Sequence, residues 1–213
     1  MNEHHLPVPR TARYVTLGPA ATEASEVWFA FHGYGQLAPR FAARLTPLDD
    51  GRRLIVVPEG LSRFYLDVHR GTVGASWMTR EDRLHEIDDY VAYLDALAAA
   101  VLPTASPPVH LLGFSQGSAT ACRWVERGAI RPARLILWGG EVPPDLDWSR
   151  AADRFRAVEV VLVAGERDQF TTPEALERHQ TVLKENGVRH RTVRYPGGHS
   201  IDGKVLEGLS LAI

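Results

Sequence analysis

Short apolar runs alternate with longer amphipathic stretches along this chain, and that alternation limits the available folds more than any other feature. The runs are "ARYVTL" (12–17), "VWFAF" (27–31), "LIVVP" (54–58), "VHLLGF" (109–114), "RLILW" (134–138), "VVLVAG" (160–165) and "HRTVRY" (190–195). Strands that alternate with helices build a mostly parallel sheet with helices on both faces, an α/β architecture. The first run is polar enough for an edge strand, whereas the fourth to sixth are nearly continuous in apolar residues, as strands covered on both faces must be. Between 83 and 102, Leu84, Ile87, Val91, Leu94 and Leu97 recur at three- and four-residue spacing, which predicts a helix with one buried face. Over 172–187, Thr172 is placed as the N-cap, Pro173 at the first helical position and Gly187 where a C-cap glycine belongs. The loop "PTASPP" (103–108) is too short to separate domains, so residues 1–213 are expected to form one domain.

Charge removes two partner classes. With 24 Lys and Arg against 26 Asp and Glu, the net charge of -2 offers no basic field to nucleic acid or to anionic lipid. No stretch approaches the roughly 18 uninterrupted apolar residues of a membrane-spanning helix. "MNEHHLPVPR" lacks the apolar region of a secretory leader, so a cytoplasmic protein without membrane insertion is expected. The single cysteine, Cys122, reads as a buried, unreactive thiol within a helix. His4 and His5 are neighbours near a free end and lack the converging ligands of a metal site, so no metal is expected.

Chemistry enters at "GFSQG" (113–117), where a serine sits between two glycines at the end of a predicted strand and before a predicted helix. By accident such a G-x-S-x-G match arises in a chain of this size roughly once in fifteen. The strand–turn–helix context gives it meaning, because glycines on either side let strand and helix pass closely while the strained Ser115 exposes its hydroxyl. A serine hydroxyl needs a base, and the base needs an orienting acid. His199 in "RYPGGHSID" follows a strand and two glycines, and Asp168 in "VVLVAGERDQF" lies just beyond another strand end. Asp145 and Asp147, after the preceding strand, remain alternatives for the acid. His110 is expected as a hydrogen-bonded core residue, and His85 and His179 as exposed helical ones. An oxyanion needs two backbone donors. The Gln116 N–H opens a helix, and "FAFHGYGQ" (29–36) supplies a glycine-rich turn directly after a strand, a turn without the lysine of a phosphate-binding loop.

Together, "HGYG", "PEG", "SW", "GFSQG", "GGEVP", "GERD" and "GGHS" resemble, in order, the motifs of the α/β-hydrolase superfamily, and within it the phospholipase/carboxylesterase family that includes acyl-protein thioesterases. The resemblance implies an α/β-hydrolase fold and a serine carboxylesterase acting on small esters, thioesters or lysophospholipids without a cofactor. By it, Ser115, Asp168 and His199 form the triad, and the N–H groups of Tyr34 and Gln116 the oxyanion hole. Trp77, Phe64 and Tyr65 are candidates for the substrate groove, with packing under the loop as an equal alternative. Gln36 stands where the family often has aspartate, and Trp77-Met78-Thr79 where it often reads W-F-D, departures that fall on the acyl pocket rather than on the chemistry. The other expectations are another hydrolase activity, such as peptidase or lactonase, and a noncatalytic hydrolase-fold binding protein. The only partner expected is a small-molecule ester, with a homodimer left open. Residues 139–159 have room for a loop and a short helix but not for a cap domain. An uncovered cleft of this kind suits soluble esters of short to medium acyl length.

Overall fold

The computed structural model describes residues 1–211; Ala212 and Ile213, the last two residues of the expected domain, lie outside the described residues. The elements run β1 (Tyr14–Leu17), β2 (Glu26–Phe31), α1 (Ala38–Ala42), β3 (Arg53–Pro58), β4 (Ser62–Asp67), β5 (Thr72–Ser76), α2 (Arg83–Val101), β6 (Val109–Phe114), α3 (Gln116–Arg127), β7 (Arg134–Trp138), α4 (Trp148–Arg156), β8 (Glu159–Gly165), α5 (Pro173–Glu185), β9 (His190–Tyr195) and α6 (Gly203–Leu211). Seven strands form one sheet in the order β1-β3-β2-β6-β7-β8-β9. Every neighbouring pair is parallel except β1 with β3, so the polar first strand is indeed an antiparallel edge.

Alternation along each strand divides the core in two. Val27, Phe29 and Phe31 of β2 face a cluster made with α2, α3, α4 and α5, while Trp28 and Ala30 face the cluster made with α1 and α6. The sheet is therefore covered on both faces, and β6 and β7 are buried throughout. Each large side chain sealed between these layers contributes about 1.5–3 kcal/mol. Of the spaced residues on α2, Ile87, Val91, Leu94 and Leu97 are buried, but Leu84 is 58% exposed, because the first turn of the helix extends beyond the sheet. On α5 the Thr172 side chain accepts from Ala175 N–H at 3.3 Å, Pro173 opens the helix, and Gly187 takes a φ of 69° just past its end.

Two short elements add to the seven-stranded plan. The β4–β5 hairpin forms a separate two-stranded sheet, and its Gln36–Ala75 bridge ties it to the loop after β2. Between β7 and β8 there is only a loop and the nine-residue α4, so no cap domain covers the carboxyl ends of the strands.

Candidate active site

Ser115 occupies the turn between β6 and α3 with φ 53° and ψ -119°, a conformation that costs a non-glycine residue about 1–3 kcal/mol. Its surroundings enforce that conformation. A Cβ on Gly113 would run into the Gly117 carbonyl, and one on Gly117 into the Phe31 carbonyl, so only glycine lets α3 approach β6 and β2 this closely. The Ser115 N–H donates to the Trp138 carbonyl at 2.9 Å, which continues the pairing toward β7. The serine opens on a cleft of about 830 Å3 at the carboxyl ends of the strands.

His199 and Asp168 meet over the end of β7. His199 Nδ1 lies 2.8 Å from Asp168 Oδ2. The other oxygen, Asp168 Oδ1, accepts from the N–H groups of Phe170 at 2.8 Å and Thr171 at 3.2 Å. A buried carboxylate tied at both oxygens fixes the tautomer opposite it: Nδ1 carries the proton, and Nε2 is left as the basic nitrogen. The imidazole packs between Phe114, the residue before Ser115, and Phe170, with ring centroids 4.9 and 4.7 Å away. Its loop is held from below, where the Tyr195 hydroxyl donates to the Gly198 carbonyl at 2.8 Å and the Trp138 indole to the Ser200 carbonyl at 3.0 Å. Among the described residues the Ser115 hydroxyl has no hydrogen-bond partner, and a serine–base bond commonly closes only once substrate is bound.

The alternative acids are committed elsewhere. Asp145 binds Arg123 through both oxygens, at 3.1 and 2.7 Å, and Arg83 at 3.1 Å; these guanidinium groups hold its carboxyl below the usual carboxylate range despite the cost of burial. Asp147 caps α4 through the Ser149 N–H.

The turn expected to carry one oxyanion donor lies against the serine, and the other donor is the next residue in the chain. A Cβ on Gly33 would sit 3.1 Å from Ser115 Cβ, which places the His32–Gly35 turn beside the hydroxyl. Within that turn Gly33 N–H donates to Gln36 Oε1 at 2.9 Å and Gly35 N–H to the Ala75 carbonyl at 2.9 Å, while Tyr34 N–H between them has no partner among the described residues. The Gln116 N–H is the first of α3 and has no acceptor within the helix. His32 is buried; Gly60 N–H donates to its Nε2 at 2.9 Å, so its Nδ1 donates to the Gly33 carbonyl at 2.8 Å. Burial holds its pKa below the ordinary histidine value and keeps the ring neutral in this bracing role.

The residues expected at the substrate groove are placed differently. Trp77 is 2% exposed and packs in the core against Phe31, His32 and Tyr90, so it supports the turn from behind and presents no surface to a ligand at Ser115. Phe64 is half-buried beside the Tyr34 ring, 5.1 Å between centroids, and Tyr65 points to the opposite, exposed face of the hairpin. The cleft at Ser115 is lined instead by Met78, Val142, Pro143, Trp148, Phe170 and Val182. Val142, Pro143 and Phe170 follow the ends of β7 and β8, and ligands in such sheets bind outside the carboxyl ends of strands, a signal that points to them. His179 also lines this cleft and is half-buried rather than exposed, while His85 is exposed. His110 is buried in β6, but neither ring nitrogen has a hydrogen-bond partner, because its neighbours are a strand backbone already paired and a Glu26 carboxylate 3.8 Å away. Cys122 is fully buried and its thiol pKa is pushed up by desolvation.

His5 does acquire converging neighbours. Asp82 lies 3.3 Å from its Nε2 and 2.6 Å from His85 Nδ1, a juxtaposition of residues distant in sequence that the spacing of His4 and His5 could not reveal. The three are exposed and stand at the positive end of the α2 dipole, where a carboxylate is favoured and a cation is not.

Residues 66–203 match the family described as serine hydrolase (FSH1). A comparison with curated protein sequences finds no significant match. Among solved structures, a carboxylesterase from Mesorhizobium loti superposes with a TM-score of 0.72 at 19% identity, covering 95% of each chain. The esterase PE8 gives 0.70 at 21% identity, covering 95% of this chain and 97% of that one. Zea mays acyl-protein thioesterase 2 gives 0.69 at 18% identity, covering 94% and 97%. At these identities the structural likeness establishes the shared α/β-hydrolase fold.

Proposed function

Because the chain belongs to the serine hydrolase (FSH1) family, we propose that it is an ester hydrolase that cleaves small carboxylic esters or thioesters through Ser115, His199 and Asp168. The observation that carries this reading is the strained Ser115 at the end of β6 together with an imidazole that packs on the ring of the preceding Phe114 and has its Nδ1 bound to a buried carboxylate. Ser115 Oγ attacks the acyl carbonyl as His199 Nε2 takes its proton; the carbonyl oxygen, now an oxyanion, accepts from the N–H groups of Tyr34 and Gln116. Collapse of the adduct expels the alcohol or thiol, which leaves with the proton from His199. Water then attacks the acyl-enzyme by the same route, returning the proton to Ser115 and releasing the carboxylic acid.

The cleft favours an acyl or leaving group that fits between the loop after β7 and α5. The apolar part of its lining, which stands beside Glu141, Arg178, His179 and Glu185, suits short to medium chains, and the absence of a cap between β7 and β8 leaves a longer chain with little to bury against. Each methylene that finds no contact forgoes about 0.8 kcal/mol. A p-nitrophenyl ester series, run beside matched thioester, lactone and peptide substrates, tests the reading. Turnover of esters or thioesters that levels off with acyl length supports it, whereas a steep preference for long chains or a preference for the peptide contradicts it.

A further inference from the structure

The side chains of Gln116 and Trp77 join the two segments that carry the oxyanion donors. Gln116 Oε1 accepts from the Trp77 N–H at 3.1 Å, and its Nε2 donates to the Met78 carbonyl at 2.8 Å. The carboxamide thus pairs with two consecutive residues of the 76–78 segment as a neighbouring strand would. From that segment the Trp77 indole reaches the other way, donating Nε1–H to the His32 carbonyl at 2.9 Å. The continuous path therefore runs from α3 through the Gln116 side chain to Trp77 and on to the peptide that precedes Gly33 and Tyr34. Nothing else among the described side-chain bonds links α3 directly to this turn through one residue.

From this path we propose that Gln116 and Trp77 are positioning residues that set the separation of the Tyr34 and Gln116 N–H groups, and so tune transition-state binding at Ser115. The proposal rests on the reading of Ser115 as nucleophile and deepens it. An oxyanion demands donors at fixed places, and the two donors here come from separate elements: a glycine-rich turn and the first residue of a helix. The sequence of the path explains why each end is tied. Trp77 cannot hold the turn unless its own backbone is held, and the Gln116 carboxamide holds it. The same contact roots the side chain of the donor residue itself, so displacement at either end moves both donors together.

Two variants keep the packing and cut the path at different links. Trp77→Phe retains an aromatic ring and removes the indole N–H; Gln116→Met retains length and removes both carboxamide bonds, while the backbone N–H of residue 116 stays. Displacing a donor should cost less than the 10²–10³-fold of removing one, so each variant should lower kcat about tenfold with KM nearly unchanged. The discriminating readout is inhibition by an alkyl trifluoromethyl ketone, which adds the serine and places an oxyanion in the hole, against the unreactive methyl ketone of the same chain. The expected result is a tenfold weaker trifluoromethyl ketone with an unchanged methyl ketone in both variants, and a double variant no worse than the poorer single one. Variants that fold and keep wild-type kcat and trifluoromethyl ketone affinity overturn the proposal, as does equal weakening of both ketones. A fluorophosphonate adduct mapped in the wild-type enzyme separates the two levels of failure. An adduct on Ser115 with unaffected variants overturns the bridge alone, and an adduct elsewhere overturns the nucleophile and the bridge with it.

Discussion

Buried polar side chains gather at both ends of the central sheet, yet they are arranged in opposite ways. At the carboxyl ends of β6–β9, Ser115 opens on a cleft, Asp168 and His199 are paired beyond the ends of β8 and β9, the serine backbone is strained, and the N–H groups of Tyr34 and Gln116 lack partners among the described residues. At the amino ends, Arg53 pairs with Glu26 at 3.2 Å and Arg134 with Glu159 at 2.7 Å. The same two arginines donate to the carbonyls of Ser210 and Leu209, which end α6. That end is closed electrostatically, since each charge has a partner and a helix terminus receives the cations its dipole favours. Burial of ionisable groups alone would select either end. The combination of strain, open donors and space selects one.

Substitution of the serine should have the greatest consequence. Ser115→Ala should lower turnover by about 10⁴–10⁶ while leaving the fold intact, measured as ester hydrolysis beside thermal unfolding. Next comes the acid: Asp168→Asn should cost about 10⁴ in kcat by releasing the tautomer of His199, whereas Asp145→Asn, which loosens Arg123, should change kcat less than tenfold. Loss of turnover in the Asp145 variant with retention in the Asp168 variant would reverse their roles.

At the other end the effect should appear in stability instead of rate. Arg53→Met leaves Glu26 without its cationic partner, though still accepting from the Trp28 indole, and a carbonyl of α6 without its donor, and should lower unfolding free energy by about 3 kcal/mol with turnover unchanged. A large loss of kcat in this variant, with the protein folded, would mean that the closed end also serves the chemistry.

The smallest expected effect is a pH dependence of stability. His32 and His110, one behind each end, both have folded pKa values lowered from about 6.5, chiefly by desolvation. The unfolded chain therefore binds protons at a pH where the folded chain does not, so stability is full above about 6.5 and falls as pH drops below it. Each such group adds a slope of up to about 1.4 kcal/mol per pH unit. Denaturant unfolding between pH 7.5 and 5.5 should show this decline, and His110→Leu should flatten part of it. A profile that is level in the wild type contradicts the burial account.

The five inner strands of the main sheet are legible because their apolar runs are long enough to be sealed between helices, whereas β1 and β9 are partly exposed edges; all seven form at or within a residue or two of the expected bounds. The hairpin of β4 and β5 was not legible. Ser62–Asp67 alternates half-buried with exposed residues and contains two charges, so its composition reads as a loop until the Gln36–Ala75 bridge gives it a place. For the same reason the sequence leaves Trp77 open between the groove and packing under the loop: an aromatic in an apparent loop has no visible burial in sequence, and the structure places it in the core. The candidate triad was legible as residue types at strand ends. What sequence does not reveal is the support, such as Gln36 clasping Gly33 and Tyr195 holding the His199 loop, because those bonds depend on side-chain direction.

The strained serine at the end of β6 is the proposed nucleophile. Fluorophosphonate treatment followed by peptide mass mapping measures this directly on the intact protein. The account predicts a single adduct on Ser115 and none after His199→Ala, which removes the base. Two other serines lie close enough to contradict it: Ser118, whose buried hydroxyl is tied to the Gly113 carbonyl at 2.8 Å, and Ser200, next to the histidine. An adduct on either, or no adduct while esters are still turned over, would show that the chemistry does not run through Ser115.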